Sequence, residues 1–326
     1  VIDLPFPFRW LLLNLVILPF RPKRSAKAYA SIWTREGSPL MVHSRALEGA
    51  LSEALQQENI HVVLSMLYGN PSIKDVLKQL RKLKCDRLLI LPLFPQNASS
   101  TTGSIREAVF REAAGYWEDS KINVVQPFYS HKGFIKAFVE KGRPFLEKGT
   151  EHIVFSFHGL PERHLKREDE EGHGCLRCDE CCDSIVATNQ NCYRAQCFRT
   201  AELIAGGLQL KRENWSVSFQ SRLGRGEWIK PYTEQKIREL ARKGLKQVTV
   251  FCPAFVSDCL ETLEEIAIGC NEAFREEGGG ELTLVPSLNA DTVWVRGLTD
   301  IILETLGLGK IPFSETGPSE QKSCTV

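Results

Sequence analysis

The run QVTVFCPAFVSDCLETLEEIA, residues 247–267, constrains the fold of this chain more than any other stretch. Val248, Val250 and Phe251 form a β-branched and aromatic run with few polar interruptions, the pattern of a strand buried on both faces. Cys252-Pro253 breaks it, and the chain turns acidic and helical through Asp258, Glu261, Glu264 and Glu265. In open α/β sheets the crevice beyond the carboxyl ends of the strands is where ligands sit, so the strand delivers carboxylates to the edge that does chemistry. Asp258, Glu261 and Glu265 have the spacing of one helical face, on which like charges repel by roughly a few tenths of a kcal/mol per pair. Such a row either faces open water, favoured by the helix dipole, or meets a cation.

A second strand of the same kind, EHIVFSFHGLP at 151–161, carries His158 at its end and Gly159 next, where the chain can turn sharply. His158 is thus expected at the same edge as Glu261; a histidine at a strand end before Gly and Pro lines a cleft more readily than a core. Between Ala26 and Gly149 the pattern alternates as βα units: a helix in SPLMVHSRALEGALSEALQQEN, a strand in HVVLSMLYG, a helix in SIKDVLKQLRKLK and a strand in CDRLLILPLFP. These strand ends carry Tyr68 and a Ser/Thr run holding Ser100 and Thr101, read as a helix cap or, less simply, a phosphate cradle. WSVSFQSRL and ELTLVPSLNA supply further strands, and DTVWVRGLTDIILETLG a last helix. Trp228, in the Gly/Pro-rich loop GRGEWIKPYT, is expected to be exposed and able to stack on a flat ligand. The reading is α/β, with two similar Rossmann-like domains, each a parallel sheet flanked by helices, and the cleft between them. The first domain spans 1–150 and the second 151–310, whose last helix packs back on the first; 311–326 is a polar tail. A formal charge of +1 gives no electrostatic reason to expect nucleic acid.

Eleven cysteines are many for such a chain, and six of them, Cys175, Cys178, Cys181, Cys182, Cys192 and Cys197, fall within 23 positions. Bunching of this kind points to a reducing compartment and a metal instead of a disulfide framework. Tetrahedral zinc and an iron–sulfur cluster each need four thiolates, and spacing alone does not separate them. The N-terminal segment 1–22 is the most apolar part of the chain, but Asn14 and its prolines leave it too short to cross a bilayer. It reads either as an amphipathic helix on the core or as a lip touching membrane, since the basic cluster Arg21, Lys23, Arg24 and Lys27 follows.

FSFHGLP, SFQSRLGRGEWIKPYT and CPAFVSDCLETLEEI resemble the signature segments of ferrochelatases, which insert ferrous iron into a porphyrin in heme biosynthesis. KAYASIWTREGSPL, YGNPS, LPLFPQNASSTTGS and SLNA extend the resemblance over nearly the whole chain. It implies a lyase with Fe2+ and a porphyrin, protoporphyrin IX or coproporphyrin III, as substrates. His158 and Glu261 would be the catalytic pair that also meets the iron, with Asp258 and Glu265 forming a proton or metal path. Tyr68, Ser100, Thr101 and Trp228 would line the porphyrin pocket, with 1–22 as its apolar rim. Where many ferrochelatases have histidine beside this Asp, the chain has Cys259. The cysteine-rich stretch at 169–192 resembles an insertion found in some bacterial ferrochelatases, implying a [2Fe–2S] cluster with zinc as the alternative. Cys175, Cys178, Cys181, Cys182 and Cys192 are then the candidate ligands, four being needed, and Cys197 the reserve. Ferrochelatases open with a strand reading like LLNLGTP, and LLLNLV at 11–16 stands in a different context, which implies a first sheet lacking that strand. The resemblance also implies a cytoplasmic protein, peripheral on the inner face of the membrane. Two alternatives stand beside this reading: another tetrapyrrole chelatase, and a non-catalytic iron–sulfur or zinc protein on the same scaffold.

Overall fold

The computed structural model describes residue 10 and residues 18–147, 149–169, 175–176, 179–224 and 226–308. The expected lip falls largely outside these, as do the tail beyond 310 and Cys178.

Helix α1 (Leu18–Ile32) leads into α2 (Pro39–Ala54), which Ser38 caps by accepting the Met41 N–H at 3.4 Å, with proline at its first position. Helix α3 (Ile73–Lys82) is capped in the same way by Ser72. Strand β1 (Leu88–Ile90), α4 (Ser104–Ala113) and β2 (Ile122–Val124) complete a βαβ unit whose two strands pair in parallel. The Ser/Thr run does not cap α4. Ser99–Gly103 instead forms a wide π-type turn, in which the Thr101 and Ser104 hydroxyls donate to the carbonyls of Ala98 and Ser99. The strand expected at 61–69 is also absent. Its only ladder contact among the described residues is an isolated bridge between Met66 and Ser72, and the Leu64 N–H is taken by the Glu48 carboxylate at 2.6 Å.

After α5 (Lys132–Leu146), a four-stranded parallel sheet forms the second unit: β3 (His152–His158), β4 (Trp215–Gln220), β5 (Gln247–Phe251) and β6 (Glu281–Leu284), in the order β4-β3-β5-β6. Every connection carries helix: α6 (Glu162–Glu168) and α7 (Tyr193–Gly207), then α8 (Thr233–Arg242). Leu260–Thr262, the π-type stretch Leu263–Cys270 and Asn271–Glu276 run on as one helix, α9. Both sheet faces are covered, so the strands alternate between two apolar layers rather than between core and water. Ile153, Phe155 and Phe157 pack with α5, α7 and the last helix, α10 (Thr292–Leu306), whereas Val154, Val248 and Val250 pack with Ile237 of α8 and with Ile266 and Phe274 of α9.

Helix α10 packs on α5 and α2. It approaches α5 so closely that a Cβ on Gly133 would lie 2.6 Å from the Gly297 Cα, so neither position tolerates a side chain. Polar bonds fasten the Ser/Thr turn to α7: Gln96 Nε2 donates to Thr200 Oγ1 at 3.1 Å, and the Asn97 N–H to Gln196 Oε1 at 2.6 Å. No helix among the described residues is long and apolar enough to cross a membrane.

Candidate active site

The strand order places a switch point at the centre of the sheet. From β3 the chain moves outward to β4, then crosses back to put β5 on the other flank of β3. The loops leaving β3 and β5 therefore diverge and open a crevice at their carboxyl ends. His158 is the last residue of β3, and the acidic helix α9 follows β5.

The His158 imidazole is half-buried, and its Nδ1 lies 2.6 Å from the Gly159 carbonyl. A carbonyl only accepts, so Nδ1 carries the proton and the Nε2 lone pair is left for a proton or a metal. The Gly159 N–H donates to the Gln220 carbonyl at 2.8 Å, and a Cβ at Gly159 would come within 2.8 Å of that same oxygen, which requires glycine here. The Phe255 ring, from the loop after β5, stands 6.2 Å from the imidazole.

Gln220 faces His158 in the β3–β4 register and links it to the acidic helix. Its Nε2 donates to the Glu261 carbonyl at 2.7 Å and its Oε1 accepts from Ser156 Oγ at 2.7 Å, with a further buried hydroxyl net through Thr233 and Ser218. Ser221, the next residue, adopts a left-handed φ of 65° and donates both its N–H and its hydroxyl to the Glu265 carboxylate, at 2.6 and 2.5 Å. The end of β4 is thus clamped to α9, bringing Glu261 and Glu265 to the edge that carries His158. Gln220 and Ser221 both lie in the signature segment SFQSRLGRGEWIKPYT, but the sequence assigned neither a role, and the positive φ that marks Ser221 is not visible there.

Asp258 departs from expectation. It precedes the helix, which starts at Leu260, and is 5% exposed. Its carboxylate accepts from the Ser287 N–H at 3.1 Å, Asn289 Nδ2 at 2.8 Å and Thr262 Oγ1 at 3.2 Å, and its own N–H donates to Asn289 Oδ1 at 2.8 Å. Asp258 therefore ties the loops after β5 and β6 together, off the helical face that Glu261 and Glu265 share. Cys259 caps the helix, and its buried thiol is pushed up first by burial and then by the Glu261 carboxylate, to which it hydrogen-bonds. Tyr29 of α1, which the sequence reading did not single out as a site residue, is raised in the same way by burial and then by Glu261, and its ring stands edge-on to Trp33. Helix α1 therefore lays Tyr29 beside the acidic helix.

Tyr68 and Ser100 line one cleft of about 470 Å³ with Ser99, Ser104, His164, Arg167 and Glu168, between the first unit and α6. Thr101, in the same turn, is half-buried. Burial raises the Glu168 carboxyl, and hydrogen bonds from Ser99 partly offset the rise. Trp228 does not join them. It is 7% exposed, its indole N–H donates to the Leu223 carbonyl at 3.0 Å, and it bridges to Pro161, so its ring is core and not a stacking surface.

Among the cysteines, Cys192 is the point of convergence. Hydrogen bonds from the thiols of Cys175 and Cys182 hold it well below the ordinary thiol range and push those two up. Cys181 Sγ lies 3.5 Å from Cys182 Sγ, near the edge of about 3.8 Å that a tetrahedral thiolate site would have at a metal–sulfur bond of about 2.3 Å. Among the described residues no group of three or more His, Cys, Asp or Glu side chains is closed to a metal-holding arrangement. Cys197 is fully buried in α7, its thiol against the Tyr193 hydroxyl.

In fold, the chain is similar to SirB from Bacillus subtilis with Fe3+, at a TM-score of 0.54 and 13% identity, over 82% of this chain and 92% of that one. In sequence it is 47% identical over 305 residues to the ferrochelatase of Stutzerimonas stutzeri (strain A1501), covering 92% of this chain and 88% of that protein. It is 48% identical over 304 residues to the ferrochelatase of Ectopseudomonas mendocina (strain ymp), covering 91% and 87%. A family model described as Ferrochelatase matches residues 1–306, and the chain belongs to the ferrochelatase family.

Proposed function

We propose that the crevice at the carboxyl edge of the second sheet inserts ferrous iron into a porphyrin in heme synthesis, with His158 and Glu261 as its catalytic groups. The observation that carries this reading is the pinned His158 imidazole, its Nε2 lone pair free, tied through Gln220 to the acidic helix. Metallation breaks two pyrrole N–H bonds, releases two protons and transfers no electron, so the site needs a base at the ring nitrogens and a negative approach for a dication. Nε2 of His158 accepts a pyrrole proton. Glu261, Glu264 and Glu265 supply the negative field that draws Fe2+ in, and Glu261 takes the second proton. Asp258, fully engaged with Ser287, Asn289 and Thr262, builds the loop and is not part of that path. Tyr68 and the Ser99–Ser104 turn offer hydroxyls, and Arg167 a cation, to the porphyrin carboxylates.

The cysteine segment has the donor chemistry for a [2Fe–2S] cluster. Hydrogen bonds link Cys192 to Cys175 and Cys182, and Cys181 or Cys178 would complete the four thiolates such a cluster needs. Such a centre, when bound, supplies a metal–thiolate cross-link to a loop too polar to fold around a core of its own. Peripheral contact with the cytoplasmic face of a membrane, through 1–22, completes the proposal.

The test is anaerobic conversion of free-base porphyrin to its iron complex, followed by absorbance, in the native protein and in His158→Ala. The native protein should metallate, and the variant should bind porphyrin without metallating it. Unchanged turnover in His158→Ala would sink the role given to this residue.

A further inference from the structure

Strand β5 leaves the ladder at Phe251, so beyond Phe155 strand β3 is paired on one side only, by β4. The carbonyl of His158 is taken up from outside the sheet: the Tyr193 hydroxyl donates to it at 2.7 Å. The peptide group joining His158 to Gly159 is therefore pinned at both ends, its C=O by Tyr193 and its N–H by the Gln220 carbonyl. The imidazole in turn hangs on the next carbonyl, that of Gly159. If the peptide rotates, the ring's anchor moves with it.

Tyr193 also sits at a junction. It is the first residue of α7, is buried, and its phenol touches the Cys197 thiol. The residue before it, Cys192, is the sulfur on which Cys175 and Cys182 converge. One peptide bond thus joins Cys192 to the residue whose hydroxyl anchors His158.

Resting on the reading of His158 as the base, we infer that Tyr193 is a positioning residue for the His158 imidazole and that the cysteine centre acts on the chemistry through it. Order at Cys192 fixes the start of α7, the Tyr193 hydroxyl fixes the 158–159 peptide, and Nε2 keeps its aim. Loss of the centre frees the start of α7 and leaves His158 present but misdirected.

Tyr193→Phe keeps the ring and removes only the bond. In the full-length protein carrying its metal centre, kcat should fall about tenfold, the loss of one buried hydrogen bond, with KM for porphyrin and the visible absorbance unchanged. Cys175→Ser should abolish that absorbance and lower kcat, and the double variant should be no slower than Cys175→Ser alone, since both act through one link. Amide exchange at Gly159 gives a readout independent of turnover and of the Tyr193 substitution: it should quicken in Cys175→Ser. Native kcat in Tyr193→Phe, or a change confined to KM, overturns the positioning role. Additive losses in the double variant, or unchanged exchange at Gly159, overturn the coupling. Should His158→Ala turn over normally, the underlying reading of the base fails; should it be inactive while Tyr193→Phe is native, only the present inference fails.

Discussion

Replacing Asp258 separates a structural carboxylate from a catalytic one. Asp258→Ala removes the acceptor for the Ser287 N–H and for Asn289 Nδ2 in a buried loop junction. Each donor left without a partner costs about 1–3 kcal/mol, so a loss of about 3–5 kcal/mol is expected. Asp258→Asn is the sharper variant. Its carbonyl still serves Ser287 and Thr262, but its amide meets the Asn289 amide donor head-on. Asn289 cannot turn over to relieve this without giving up the bond its Oδ1 accepts from the backbone N–H of position 258. The cost should be about 2 kcal/mol, with turnover of the folded protein close to native. Urea unfolding gives the first quantity and initial metallation rates well below the transition midpoint give the second. An Asp258→Asn variant of native stability that no longer metallates porphyrin would show that the Asp258 charge acts on iron or protons, and the structural reading would be wrong.

Glu261→Gln keeps the volume and removes the charge proposed to take the second pyrrole proton; turnover should drop by about 10²-fold in steady-state assays while porphyrin affinity holds. Trp228→Phe leaves the Leu223 carbonyl without its donor and should lower stability by about 1–2 kcal/mol in thermal unfolding; porphyrin affinity, read by fluorescence quenching, should not change. His152, on the far end of β3 and bonded to Ser216, is pushed down to about 4 by burial and then by Lys236 and Lys243. Below pH 6.5 the unfolded chain protonates this group and the native one does not, so its contribution is full above 6.5 and lost as pH falls to about 4. A shift of this size corresponds to about 3 kcal/mol, which solvent around the partly exposed ring reduces to about 1–2 kcal/mol. His152→Gln should flatten the pH dependence of stability between those limits.

The carboxyl edge of the second sheet was legible because its signals are local. The strands over His152–His158 and Gln247–Phe251 announce themselves by β-branched and aromatic runs, and Gly159 and Cys252-Pro253 mark where they stop. What eluded the sequence depends on contacts between distant segments. Trp228 has a loop's neighbours, yet Pro161 and Leu223 close over it. Asp258 looks like part of an acidic helical face until Cys259 and Thr262 set the helix start beyond it and Asn289 claims its carboxylate. The apolar run at 61–69 has the composition of a strand, but a strand exists only where a neighbour takes up its backbone groups, and here Glu48 takes one of them. Gln220 lies inside the signature segment SFQSRLGRGEWIKPYT, but nothing in that segment shows its register opposite His158.

The wide turns in the middle of α9 bear on how this protein can change over evolutionary time. A π-type stretch holds more residues per turn than an α-helix, the mark of an inserted residue retained inside a helix. That surplus lets one helix satisfy two anchors, Glu265 on Ser221 near its start and Phe274 in the apolar layer near its end. Deleting a single residue between them would restore regular α-helical bonding but turn one anchor away from its partner by about 100°. Outward-facing positions such as Ile268 are free to drift by substitution, whereas the length of this segment cannot drift by single residues without undoing the clamp at β4 or the packing beneath the sheet.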